Sequence, residues 1–526
     1  MFTESGKTRP KMSLMPSPRR PASGARLAAA LALSSGAALG AVSAHAQLPG
    51  ALVPPPPAAT ASTPQPAAAA PPPAPAPAPA PEPAPEPAPP PAPTAPPPVA
   101  VQAAPLQAPD LFSADAGRPT GLPSDLWRGA SPELARTVIP MTAVKPMTPA
   151  AQAFAARLMS TSASAPEGLG SDADLAAQRI NVVLSLGDPM GARVMLERTP
   201  GVRQSAALSQ VAAEADLVLG REDEACSLGD NLAAGKDGPY FRRLRAYCLL
   251  KAGDKAGAQL AYDLTAEQAK DDIYKRLMGA AVSGSPPTGQ QPSLRNGLEY
   301  ALSRRMGLDL APALDRAWAP VATVVARDPT APAPTQAAAA AQIARREADM
   351  SRAASLNPAV GAAAQSVAGG GPLDPQLAER LAAAGSSGSQ EAQQALALYA
   401  AAGAPGSGAV RAVFATFDIG QARASQAKLL ELDAVSAAGD KGDTALLALW
   451  AMIDAGEAGP APADRARIVR AINRAGFSED ARRYALEGLL ALQPPPPAPP
   501  APPKAIKKPP AKPAPRKPAR TRPSGD

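Results

Sequence analysis

Histidine is all but missing from this chain, since His45 is the only one in 526 residues. Arg19, Arg20 and Arg26 precede the uncharged run Leu27 to Val42, and Ala44-His45-Ala46 puts small residues where a signal peptidase reads. Residues 1–46 are therefore expected to be a secretory signal peptide cleaved after Ala46, which directs the chain to the periplasm or the exterior. Arg19-Arg20 also admits a twin-arginine route, which the flanking Pro21-Ala22-Ser23 fits badly. The mature chain would hold no histidine, and this excludes the residue as general base, metal ligand or phosphate carrier. Aromatic residues are also scarce, at 3%. Any core must then be built from Ala, Leu and Val, with helices packed closely through many small contacts. No segment after the signal is apolar enough over about 20 residues to span a bilayer, and no cysteine follows the apolar run to carry a lipid.

Proline, by contrast, is abundant, with 68 residues gathered mostly at the two ends. Residues 47–110 are Pro and Ala with little else, and form an expected disordered linker of polyproline character. It reads as an inert spacer, as a stand-off arm of cell-envelope dimension or as a ligand for a Pro-binding groove. Residues 493–526 form a second proline-rich segment, in which Lys504, Lys507, Lys508, Lys512, Arg516, Lys517, Arg520 and Arg522 are opposed only by Asp526. This tail and the signal region hold the excess positive charge, so the formal net charge of +7 conceals a mildly acidic body. The tail reads as a solvating segment or as a contact for an anionic envelope polymer or membrane surface. Without interleaved aromatics or a docking fold, nucleic acid is not an expected partner.

Between these ends the signals are helical. Ser131-Pro132, Thr148-Pro149, Asp188-Pro189 and Asp374-Pro375 each set a capping side chain before a first-turn proline. Gly187, Gly220 and Gly253 lie 33 residues apart, each followed five positions later by alanine: Ala192, Ala225 and Ala258. Glycine suits the left-handed residue that ends a helix, and a small residue one turn into the next helix lets two backbones approach. Gly476 and Ala481 repeat the spacing near the C-terminus, with Glu479 and Asp480 in the first turn, where a helix dipole favours carboxylates. Each unit reads as a helical hairpin, and a period of this size predicts stacked hairpins. Ala409 to Ile419 is the one stretch with a mixed helix and strand signal.

Leu244, Ala246, Tyr247, Gly253, Asp254, Ala258 and Tyr262 resemble the tetratricopeptide repeat family, whose unit is a 34-residue helical hairpin. The aromatic position holds Leu196 and Gly229 in the other two units, no unit has the family's early tryptophan, and the period is one residue short. The resemblance covers about a fifth of the chain and implies binding of other proteins along the helical-repeat surface. The expected fold is an all-α solenoid of hairpins flanked by disordered Pro-rich segments. Its expected divisions are a repeat region at 111–330, an Ala/Gly-rich helix and linker at 331–372, and a C-terminal helical region at 373–492.

Cys226 and Cys248 each lie 11 residues from Asp237, on opposite arms of one turn. In an antiparallel hairpin they sit at the same height, and in an oxidising compartment they are predicted to form a disulfide. Chemistry is otherwise thin. Ser425-Gln426-Ala427-Lys428 matches an S-x-x-K pattern without its companion motifs, and Gly168-Leu169-Gly170 follows no strand, so neither marks a catalytic or phosphate-binding site. Asp271-Asp272 and Glu479-Asp480 read as helix-opening carboxylates. No cofactor, metal or enzymatic activity is expected. The leading expectation is an exported protein-binding scaffold of the cell envelope. One alternative is an envelope-spanning spacer whose Pro-rich ends, similar in composition to TonB-type coupling arms, are the working parts. Another is an accessory enzyme of envelope polymer metabolism.

Overall fold

A computed structural model describes residues 109–492, apart from 268, 269, 286, 287, 346 and 348. The expected signal peptide, most of the linker and the basic tail from Lys504 to Arg522 lie outside the described residues. Every regular element among the described residues is helical. All four capping signals start helices. Ser131 caps α1 (Pro132–Val144), Thr148 caps α2 (Pro149–Met159), Asp188 caps α4 (Pro189–Arg198), and Asp374 caps α14 (Pro375–Ser386). In each, the capping oxygen accepts a backbone N–H of the first turn and the proline fills a position that lacks an intrahelical partner for its missing amide.

The register glycines end helices as expected. α3 (Ala173–Ser185) turns into α4 at Gly187, α5 (Ala206–Val218) into α6 (Glu222–Asn231) at Gly220, and α7 (Pro239–Lys251) into α8 (Lys255–Ala266) at Gly253. All three glycines have φ between 75° and 101°. The amide after each returns to a carbonyl five residues back: Asp188 to Val183, Arg221 to Asp216, and Asp254 to Leu249. A side chain at the glycine would be strained there, which is why glycine recurs. Ala192, Ala225 and Ala258 are completely buried, and each hairpin packs tightly on itself. Ala258→Leu is expected to cost about 1–3 kcal/mol through overpacking, whereas Ala256→Leu, exposed on the same helix, should stay within about 0.5 kcal/mol. Denaturant midpoints for the two variants check this.

The remaining helices are α9 (Asp272–Ser283), α10 (Gly297–Arg305), α11 (Ala319–Arg327), α12 (Ala333–Ala344) and α13 (Pro358–Ala368). After α14 come α15 (Gln390–Ala401), α16 (Gly408–Phe414), α17 (Gln426–Ala438), α18 (Lys441–Ala455), α19 (Pro462–Arg474) and α20 (Ser478–Leu490). α16 makes the ambiguous stretch helical as far as Phe414, and residues 415–419 are a turn and irregular chain. Neighbouring hairpins stack on one another, the arrangement of an all-α solenoid. Along the array α5 packs against α3 on one side and α10 on the other, while α7 meets the second hairpin mainly through α6. The C-terminal hairpins also dock on the two N-terminal helices, with α18 against α1 and α20 against α2. One continuous apolar core therefore runs from Leu111 to Leu490, with a smaller cluster under α10 to α12.

Carboxylates remote in sequence secure these contacts. Asp443 accepts the Ser131 amide at 2.7 Å at the start of α1, and Glu487 accepts the Ala150 amide at 2.7 Å at the start of α2. Glu214 accepts the Gly297 amide at 2.5 Å at the start of α10. Each places a negative group at a helix N-terminus, whose dipole and orphan amides favour it. Burial pushes the Glu214 carboxyl above its usual range, against the opposing effect of the Gly297 amide it accepts.

Candidate functional site

A cleft of about 590 Å³ opens between α4, the 3-10 turn Val202–Gln204, α5 and α6. Its position follows from the repeat: two successive hairpins meet here, and the short turn between α4 and α5 holds them apart. Leu196, Val202 and Leu228 give it apolar lining, and Glu197, Asp223 and Glu224 supply carboxylates. Asp216 contributes from α5 with its side chain fully buried. Its Oδ1 accepts Arg193 Nε at 2.8 Å, and Arg193 also approaches Glu197 at 3.5 Å. Burial raises the Asp216 carboxyl to about 6 although Arg193 opposes the shift.

The sign follows from linkage. Unfolded Asp216 releases its proton near 3.8 and folded Asp216 near 6, so the unfolded chain binds fewer protons in between. Stability from this group is full below about 3.8 and falls as pH rises to about 6, by on the order of 2–3 kcal/mol. Asp216→Asn should remove that slope, and the difference between its urea midpoints and those of the parent chain from pH 4 to 7 measures it.

The predicted disulfide forms beside the cleft-lining residues of α6, outside the cleft itself. Cys226 of α6 and Cys248 of α7 are bonded, with Cα atoms 5.7 Å apart. The bond ties the second hairpin to the third across the Lys236-Asp237-Gly238 turn, and helps to hold α6 where the stack passes from α5 to α7. Cys248→Ser under oxidising conditions should cost about 3 kcal/mol by the loop-closure argument, and reduction of the parent chain should lower the thermal midpoint to match.

Other singled-out residues have structural partners. Lys428 pairs with Asp454 and lies 3.9 Å from the centroid of the Trp450 ring, while Ser425 precedes α17. Asp271 caps α9, accepting the Tyr274 amide, and pairs with Arg243 and Arg295. Asp480 corrects the sequence reading: it is buried against Arg157 of α2 at 2.6 Å, a link between the two ends of the described chain rather than only a first-turn charge. Gly388-Ser389 and Gly439-Asp440 make the same left-handed turn as the register glycines and were missed, because they lack the alanine five positions on. Glycine followed at once by a capping residue is the signal that finds them, as it would at Gly187-Asp188 and Gly253-Asp254. Among the described residues no group of three or more His, Cys, Asp or Glu could hold a metal ion, and no helix is long and apolar enough to cross a membrane.

The fold and the cleft define an all-α helical-repeat protein with an acidic, apolar-lined groove. Comparison with protein-family models, with curated proteins and with solved structures finds no match.

Proposed function

We propose that this chain is an exported helical-repeat scaffold that binds other proteins of the cell envelope along the surface of its hairpin array. The observation that carries this reading is the groove where the first and second hairpins meet, in which carboxylates rim an apolar lining. Stacked hairpins generate extended binding surfaces of this kind because each unit adds one strip of exposed side chains in register with the last. The Cys226–Cys248 bond supports export, since disulfides persist in oxidising compartments. The signal-like N-terminus supports it independently.

Proximity labelling with the full chain in its native host tests the reading. Envelope proteins should be labelled above the level given by an inert exported control. A subset should disappear when Glu197→Lys and Glu224→Lys reverse the groove's charge. A labelled set equal to the control's would sink the proposal. Retention of every partner after charge reversal would remove the groove from it.

A further inference from the structure

The cleft holds a carboxylate that the fold uses only by half. Asp216 Oδ1 is paired with Arg193, whereas Oδ2 is buried without a hydrogen-bond partner among the described residues. A buried acceptor left unmet is costly, and the residue that carries it lines the cleft. The surrounding charge has the matching sign. Asp216, Glu197, Asp223 and Glu224 set four carboxylates against the two guanidinium groups of Arg193 and Arg203. Asp223 is shared with Lys251, and Glu224 makes no ion pair among the described residues. The required ligand is therefore cationic, with apolar surface to lay on Leu196, Val202 and Leu228.

We infer that this cleft receives the chain's own C-terminal segment, residues 493–526, with its lysine or arginine heads on the carboxylates and its prolines on the apolar lining. Composition supports the pairing. The segment has eight Lys and Arg against one Asp, whereas residues 109–492 hold 38 Lys and Arg against 41 Asp and Glu. Its reach also suffices. Lys504 lies 12 residues beyond Leu492 and Arg522 lies 30 beyond, which bounds their distance from the end of α20 at about 40 and about 100 Å. Proline supplies no amide for β-pairing, so side-chain charge and ring burial are the means of recognition left to such a segment. Individual exposed ion pairs are weak, yet attachment to the same chain gives an effective concentration on the order of millimolar. The contact is accordingly reversible and sensitive to salt. The inference goes beyond the scaffold reading and is independent of it, because a chain that bound no other protein would still seat this segment in the cleft.

Zero-length carbodiimide coupling of the full chain, mapped by mass spectrometry, tests it. Amide links from Lys504, Lys507, Lys508, Lys512 and Lys517 should concentrate on Glu197, Asp223 and Glu224. They should fall at least fivefold in 1 M salt. Mixing isotopically heavy and light chains should show the links within single copies. Links spread over other exposed carboxylates, such as Glu133, Asp315 and Glu457, or found only between copies, would overturn the inference. A second measurement needs no variant of the body. Hydrogen exchange across α6 should be several-fold slower in the parent chain than in one whose eight tail cations are glutamine, and equal exchange would refute the contact.

Discussion

Arg179→Met is expected to destabilise the protein by about 3–5 kcal/mol. The Arg179 side chain is fully buried, with Nη1 donating to the Phe112 carbonyl at 2.5 Å and Nη2 to those of Ala114 and Thr161 at 2.9 and 2.5 Å. It thereby pins the segment Leu111–Ala116 and the end of α2 to α3, and its Cζ lies 5.4 Å from the Phe112 ring centroid. Burial lowers the guanidinium to about 10, with Asp110 and Asp115 opposing the shift, so it remains charged at neutral pH. Two effects compete on substitution. Methionine relieves the desolvation of a buried cation, but it strands three carbonyls, each worth about 1–3 kcal/mol when unmet. The carbonyls win, because a thioether cannot donate to any of them. Guanidinium unfolding midpoints of parent and variant measure the loss. A change below about 1 kcal/mol would mean that water replaces the donors and that the segment is not held by Arg179.

Asp480→Ala should cost about 3 kcal/mol, and most of that loss should return in the double variant Arg157→Met, Asp480→Leu. Asp480 has no exposed side-chain surface and faces Arg157 at 2.6 Å, with Arg483 at 3.8 Å. Burial raises the Asp480 carboxyl despite both cations, so desolvation outweighs their attraction. Removing Asp480 leaves Arg157 only the exposed Glu479 at 3.3 Å as counter-charge, whereas removing both exchanges a buried pair for apolar contact at the cost of the bond from Arg157 to the Thr120 carbonyl. With Arg157→Met and Asp480→Leu as the two single variants, the double-mutant cycle read from unfolding midpoints gives the coupling. If the double variant is no more stable than Asp480→Ala, the pair itself and not its burial holds α20 on α2.

Much of the local structure was legible because its causes are local. A capping oxygen and a first-turn proline act within four residues, so Ser131-Pro132 and Asp374-Pro375 announce helix starts without reference to the fold. Gly187, Gly220 and Gly253 announce the ends for the same reason. The disulfide was legible because the two cysteines face each other across a single turn. Of the cleft, the charged residues of α6 stood in plain sight as Asp223-Glu224, but nothing marked them as one wall of a groove. Arg179 gave no signal at all, since a lone arginine in a helix ordinarily points to water.

The sequence alone determined the hairpin: where helices begin and end, and which alanines let them approach, all follow from backbone geometry within some thirty residues. Tertiary structure decided the rest. That α10 lies on α5, that α20 closes on α2, and that Asp216 keeps one oxygen unpaired depend on groups far apart in the chain becoming neighbours. The physical reason is that a carboxylate has no fixed role until burial removes its water, and only the packed array determines which helix end or which guanidinium takes that water's place.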